Sequence, residues 1–148
     1  SATFDQGFAT VEYLAASYLD LNYHTLTDAL TQNIVPFEEA AMNKIGLPSS
    51  IIPRYRSTYY SHIFSGGYSA GYYSYIWSGV LDTDAFDAFK QKSLFDPATA
   101  RSFRTNILEK GGTADADVMY RTFRGAEPSI QPLLRKRGLE KESFKVEK

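Results

Sequence analysis

A chain of 148 residues with 43% apolar side chains is long enough to bury one core of ordinary size. Sixteen basic residues against 17 acidic ones leave a net charge of -1, which provides no cationic face for displacing counterions from a phosphate backbone and excludes nucleic acid as an expected partner. No apolar run reaches the roughly 20 residues needed to cross a bilayer, so no membrane span is expected, and zero cysteines exclude disulfides and thiolate metal sites while leaving the redox compartment open.

The first element is expected to be a long helix. Phe4, Phe8, Val11, Ala15 and Tyr18 recur at a three-and-four spacing, and Leu19, Tyr23, Leu26 and Leu30 continue the same face. Thr3 and Gln6 have the spacing of a capping box. Leu14 and Leu21 widen the apolar arc, so this helix expects cover on more than one side. A shorter helix is expected from Pro36, whose missing amide hydrogen is not needed in a first turn. Glu38 and Glu39 suit its positive end, Lys44 its negative end, and Gly46 its stop.

The segment from Pro53 to Phe64 has Tyr55, Tyr59 and Ile63 on one helical face before Gly66 and Gly67 break it. Helical spacing resumes near Ala70 with Tyr73, Trp77, Val80, Leu81, Ala85 and Phe89, and runs close to Lys92. Asp96 followed by Pro97 is a strong start signal for a helix that carries Ala100, Phe103 and Ile107 and ends at Gly111 and Gly112. Another is expected over Asp115 to Arg124, and Pro128 opens a last turn or two that Gly138 closes. Residues 139–148 alternate lysine and glutamate and are expected to form a frayed or disordered tail. With no strand alternation of useful length, the reading is all-α: six or seven helices in one folded part, residues 1–138.

Chemistry is scarce within these helices. A helical zinc motif needs two histidines one turn apart with a glutamate between them, and His24 and His62 are too far apart to make one. No nucleophile elbow and no phosphate loop is present. His24, among apolar neighbours, reads as a satisfied core or boundary histidine. The aromatic content is the distinctive feature: 11 Tyr, 10 Phe and one Trp, with tyrosines crowded from Tyr55 to Tyr75. A phenol combines apolar area with a hydrogen-bonding tip, so such a cluster is either a half-buried packing layer or a cleft wall. Arg54 and Arg56 suit either a peptide's terminal carboxylate or surface salt bridges.

The run HIFSGGYSAGYYSYIW, from His62 to Trp77, resembles the C-terminal signature of the thimet oligopeptidase and peptidyl-dipeptidase family of zinc metallopeptidases. In that signature a histidine precedes a glycine pair and then tyrosines at fixed steps; Gly66, Gly67, Tyr68, Ala70, Tyr72, Tyr73, Tyr75 and Trp77 fill its places. The likeness extends over FDQGFATVEYLAAS at the start, PRYRSTYYSHIF in the middle and RGAEPSIQPLLRKRGL near the end. Ser69 and Gly71 look more like the bacterial peptidyl-dipeptidases, which release dipeptides from peptide C-termini.

The resemblance implies that Tyr68 and Tyr75 hydrogen-bond the scissile region of a short peptide substrate, that His62 contacts the substrate, and that Gly66 and Gly67 let the loop admit it. It implies zinc in the full-length parent, held by an HExxH helix and a later glutamate that both lie upstream. No metal ligand is assigned within this chain, and the chain alone is expected to be inactive. A cytoplasmic parent is the expectation, with a secreted or periplasmic one left open by composition. Apolar helix faces cut from their neighbours, such as that of Phe8, Val11 and Tyr18, make self-association of the isolated chain an expectation. The competing reading is a stand-alone helical module that binds a peptide or a protein through its tyrosines.

Overall fold

The structure is a computed structural model and describes residues 3–140. The described residues form seven α-helices and no strand: α1 Gln6–His24, α2 Ile34–Lys44, α3 Ser61–Phe64, α4 Ser74–Lys92, α5 Pro97–Phe103, α6 Ala116–Arg124 and α7 Gln131–Arg137. The all-α expectation of six to seven helices agrees with this architecture. The chain divides into two compact units, Ser1–Ile76 and Trp77–Lys148.

In the first unit α1 stops at His24, short of the expected extension to Leu30. The last regular bond is that of the Thr25 amide to the Leu21 carbonyl at 3.0 Å, after which the Leu26 amide donates to the Tyr23 carbonyl at 3.4 Å and the ladder tightens to three residues. Side chains add donors there, Thr25 Oγ1 to the Leu21 carbonyl and Asn22 Nδ2 to that of Tyr18, each at 2.8 Å. The start also differs from a capping box. Asp5, at φ 56, precedes the helix without a side-chain cap bond, and the Gln6 amide donates to the Thr3 carbonyl at 3.4 Å.

Helix α2 begins at Ile34, two residues before the expected Pro36, because the Asn33 side chain accepts from the Val35 amide. Pro36 then falls inside the first turn, where its missing donor is harmless. Pro53 to Phe64 is not one helix. It is a short 3-10 turn, Ser57–Tyr59, and the four-residue α3. Two ties hold this segment open: the Arg54 amide donates to the Glu12 carbonyl of α1 at 3.2 Å, and the buried Glu38 carboxylate of α2 accepts from Ser57 N at 2.8 Å and Ser57 Oγ at 2.7 Å. Arg56 Nε also donates to Glu38, which places this arginine in an ion pair. The core of the unit is Ala15, Ala16 and Leu19 of α1, Phe37, Ala41 and Met42 of α2, with Tyr60, Ile63 and Tyr72. Small residues on α1 permit its close approach to α2.

In the second unit α4 runs without a break through Asp82 to Asp84. Asp96 caps α5 as expected, its carboxylate accepting from the Thr99 amide at 2.8 Å. The helix continues as a π-helical turn, Arg104–Leu108, in which the Glu109 amide reaches back to the Arg104 carbonyl at 2.9 Å. Phe89, Phe103 and Phe123 meet edge to face or tilted, with centroids 5.2 to 6.3 Å apart. The buried Asp84 accepts from the Tyr120 hydroxyl at 2.7 Å and from Arg124 at 3.2 and 3.4 Å. Gly125 and Gly138 end α6 and α7 in the left-handed conformation that glycine adopts without strain. Of the expected charged tail, all but Leu139 and Glu140 lies outside the described residues.

Candidate functional site

The five candidate residues come together in the first unit. Gly66 follows α3 so tightly that an added β-carbon would stand 2.9 Å from the His62 carbonyl oxygen. Gly67 takes φ +79, and the chain turns back so that the Tyr68 amide donates to that same carbonyl at 3.2 Å. Ser69 Oγ donates to the Ile63 carbonyl at 2.6 Å and fastens the turn to α3. Tyr68 and Tyr75 are therefore not on one continuous helix: Tyr68 lies in the turn and Tyr75 in the first turn of α4.

Their rings nonetheless stack, with centroids 5.0 Å apart and planes 26° from parallel. His62 lies 6.3 Å from the Tyr68 ring, 4.8 Å from Tyr55 and 5.9 Å from Tyr72. The tyrosines divide by exposure into a half-exposed pair and a buried layer: Tyr68 and Tyr75 are 36% and 43% exposed, while Tyr72 is 3% and Tyr60 1%. Tyr72 lies under Tyr75 at 5.3 Å, and Tyr60 meets Tyr72 edge to face at 5.2 Å. Tyr60 donates its hydroxyl to the Ala16 carbonyl of α1 at 3.2 Å.

Tyr60, Tyr72 and Tyr75 are held protonated above the ordinary tyrosine value. A hydrogen bond with the Tyr68 phenol, reinforced by partial desolvation, pushes the Tyr75 phenol up to about 12. Burial, followed by the neighbouring Tyr55 and Tyr13 phenols, pushes Tyr72 up to about 12. Tyr60 is raised well above the ordinary tyrosine value, chiefly by burial. Nδ1 of His62 is buried without a hydrogen-bond partner, so aromatic neighbours rather than a bond at that nitrogen hold the ring.

Sequence reasoning missed the residues that hold this cluster in place. Asp20 of α1, with no exposed surface, accepts from the Ala70 amide through Oδ1 and from the Tyr72 amide through Oδ2, each at 2.9 Å. Tyr13, two turns earlier on the same helix face, donates its hydroxyl to the Tyr72 carbonyl at 2.5 Å and stacks on the Tyr72 ring at 5.1 Å. One signal could have found Asp20: a carboxylate interrupting the apolar arc between Leu19 and Tyr23. His24 turns its Nδ1 to Asp20, 2.8 Å from Oδ1 and 2.9 Å from the main-chain oxygen.

Among the described residues no group of three or more His, Cys, Asp or Glu side chains could hold a metal ion, so the residues present do not fit as a zinc centre. Among them, too, no helix is long and apolar enough to cross a membrane. The second unit carries an apolar groove of about 730 Å³, lined by Trp77, Phe86, Phe89, Phe103, Met119 and Phe123 among others. None of the five candidate residues borders it.

The described residues are thus helical, with a half-exposed tyrosine and histidine cluster and no group of three or more metal-ligating side chains. The chain belongs to Peptidase family M3, whose model matches residues 1–139. It is 37% identical over 144 residues to the dipeptidyl carboxypeptidase of Salmonella typhimurium, covering 95% of this chain and 21% of that protein. With the Escherichia coli dipeptidyl carboxypeptidase the identity is 38% over 142 residues, 94% of this chain and 21% of the other. Oligopeptidase A of Haemophilus influenzae is 35% identical over 117 residues, 79% of this chain and 17% of that protein. The chain thus spans about a fifth of the length of these relatives.

Proposed function

We propose that residues 1–138 are the C-terminal helical part of the catalytic domain of a zinc-dependent peptidase, and that they supply part of the cleft wall together with neutral hydrogen-bond donors for the scissile region of a short peptide. The observation that carries this reading is the stacked, half-exposed pair Tyr68 and Tyr75 beside His62. Attack on a peptide carbonyl builds negative charge on its oxygen, and a phenol about 3 Å away donates to that oxygen more strongly than to the ground-state carbonyl. The raised Tyr75 phenol keeps its proton at neutral pH and so remains a donor. Gly66 lets the chain close on the His62 carbonyl, and Gly67, with nothing within 4 Å of an added β-carbon, leaves open space beside Tyr68 for a peptide main chain.

Zinc and the group that activates water belong, by the family resemblance, to an HExxH helix and a later glutamate outside this chain. Release of C-terminal dipeptides is supported by the similarity to two dipeptidyl carboxypeptidases over about 95% of the chain.

The test is to compare the isolated chain with a chimera in which it replaces the matching region of the Escherichia coli dipeptidyl carboxypeptidase. The isolated chain is expected to cleave no peptide and to bind no stoichiometric zinc, and the chimera to do both. Tyr68→Phe or Tyr75→Phe in the chimera is expected to lower kcat by about 10²-fold to 10³-fold. Zinc bound one-to-one by the isolated chain would contradict the assignment. Tight peptide binding by that chain, indifferent to both substitutions, would favour a stand-alone binding module instead.

A further inference from the structure

Two amides of the tyrosine turn, those of Ala70 and Tyr72, point into the interior toward α1, and a single side chain receives both. A turn that only needed packing would be covered by an apolar residue, since a carboxylate taken fully out of water is unfavourable unless its oxygens are used. Asp20 has no exposed surface and both of its oxygens are used. The turn it receives includes Ala70 at φ 54, a backbone conformation that an alanine holds only when its surroundings impose it. Tyr13, seven residues before Asp20 and hence on the same face, fixes the carbonyl of Tyr72 and stacks on its ring. Tyr72 in turn underlies Tyr75.

We propose that Asp20 is a positioning residue for the peptidase reaction, with Tyr13 as its second: together they make α1 the template that sets the pose of Tyr68 and Tyr75. This rests on the reading of those two phenols as substrate donors. Being buried, Asp20 touches no substrate and acts through the turn. His24 adds a further contact, its Nδ1 lying 2.8 Å from Oδ1, the oxygen that accepts from Ala70. Misplacing a donor by about 1 Å is enough to lower turnover on the order of 10²-fold, so a turn released from α1 loses rate without losing its tyrosines.

The test uses the zinc-loaded chimera. Asp20→Asn keeps the size of the side chain but sets a donor against one of the two amides. It is expected to lower kcat by about 10-fold to 100-fold and to change KM by less than about threefold. The Ala70 and Tyr72 amides should exchange with solvent at least about tenfold faster, a readout independent of turnover. In the Tyr68→Phe/Tyr75→Phe double background the further loss from Asp20→Asn should shrink to less than about threefold, because Asp20 acts only through those two donors. Tyr13→Phe leaves the carboxylate in place and should shift kcat in the same direction by a smaller factor; it decides the matter if Asp20→Asn does not fold. Full activity of Tyr68→Phe and Tyr75→Phe would sink the underlying reading. Impaired tyrosine variants alongside unchanged kcat in Asp20→Asn and Tyr13→Phe, or fully additive losses, would overturn the positioning role alone.

Discussion

Exchanging Gly66 for alanine separates the two jobs of the glycine pair. The new β-carbon would stand 2.9 Å from the His62 carbonyl oxygen and 3.1 Å from its Cα, where ordinary contact begins near 3.4 Å. The oxygen must therefore retreat by about 0.5 Å, and relief of this kind costs about 1–3 kcal/mol. That oxygen also accepts from the Tyr68 amide at 3.2 Å, so its retreat loosens a bond worth about 1 kcal/mol. The expected destabilisation is about 2–4 kcal/mol, with the Tyr68 ring displaced from Tyr75. Gly67→Ala differs in kind: its β-carbon would meet nothing within 4 Å, and only the backbone angle is strained, at about 1–2 kcal/mol. Urea unfolding followed by tyrosine near-ultraviolet circular dichroism measures both stability and ring packing. An unchanged midpoint and spectrum for Gly66→Ala, or a larger loss for Gly67→Ala, would refute the steric account.

In the second unit Asp84→Ala should destabilise by about 3–5 kcal/mol, because it strands the Arg124 guanidinium beside a lost buried partner; Tyr120→Phe should cost only about 1 kcal/mol in the same urea assay. Alkaline conditions should unfold the first unit: Tyr72 and Tyr75 are raised to about 12, so the folded chain holds protons the unfolded chain has lost above about 10. Their contribution is intact below pH 10 and disappears as pH rises through 12, and a phenolate absorbance titration that ran at free-tyrosine values with no unfolding would contradict it. The isolated chain should self-associate through α1, where Phe8 and Tyr18 are 49% and 47% exposed, and sedimentation should show Phe8→Ser reducing the association.

Element type was legible in the sequence wherever a local signal and burial agreed. Asp96 capped α5 because the side chain that starts the helix lies beside the amides it serves. The failures share a cause. Nothing local in Pro53 to Phe64 reveals that Glu38, 19 residues before Ser57, will take its amide and hydroxyl and prevent a helix. Likewise, nothing local shows that the Tyr68 and Tyr75 rings meet across a turn fastened from α1, 50 residues away. The family resemblance, not the local pattern, singled out the candidate residues; the long-range carboxylates that support their neighbourhood were visible only as polar interruptions of an apolar pattern.

The raised phenols carry one more implication. A donor that stays uncharged from acid to strongly alkaline solution presents an incoming carbonyl with the same dipole at every pH at which a peptidase is assayed. Any bend in a rate profile between pH 5 and 9 would then owe nothing to Tyr75 and must be sought in other groups of the complete enzyme.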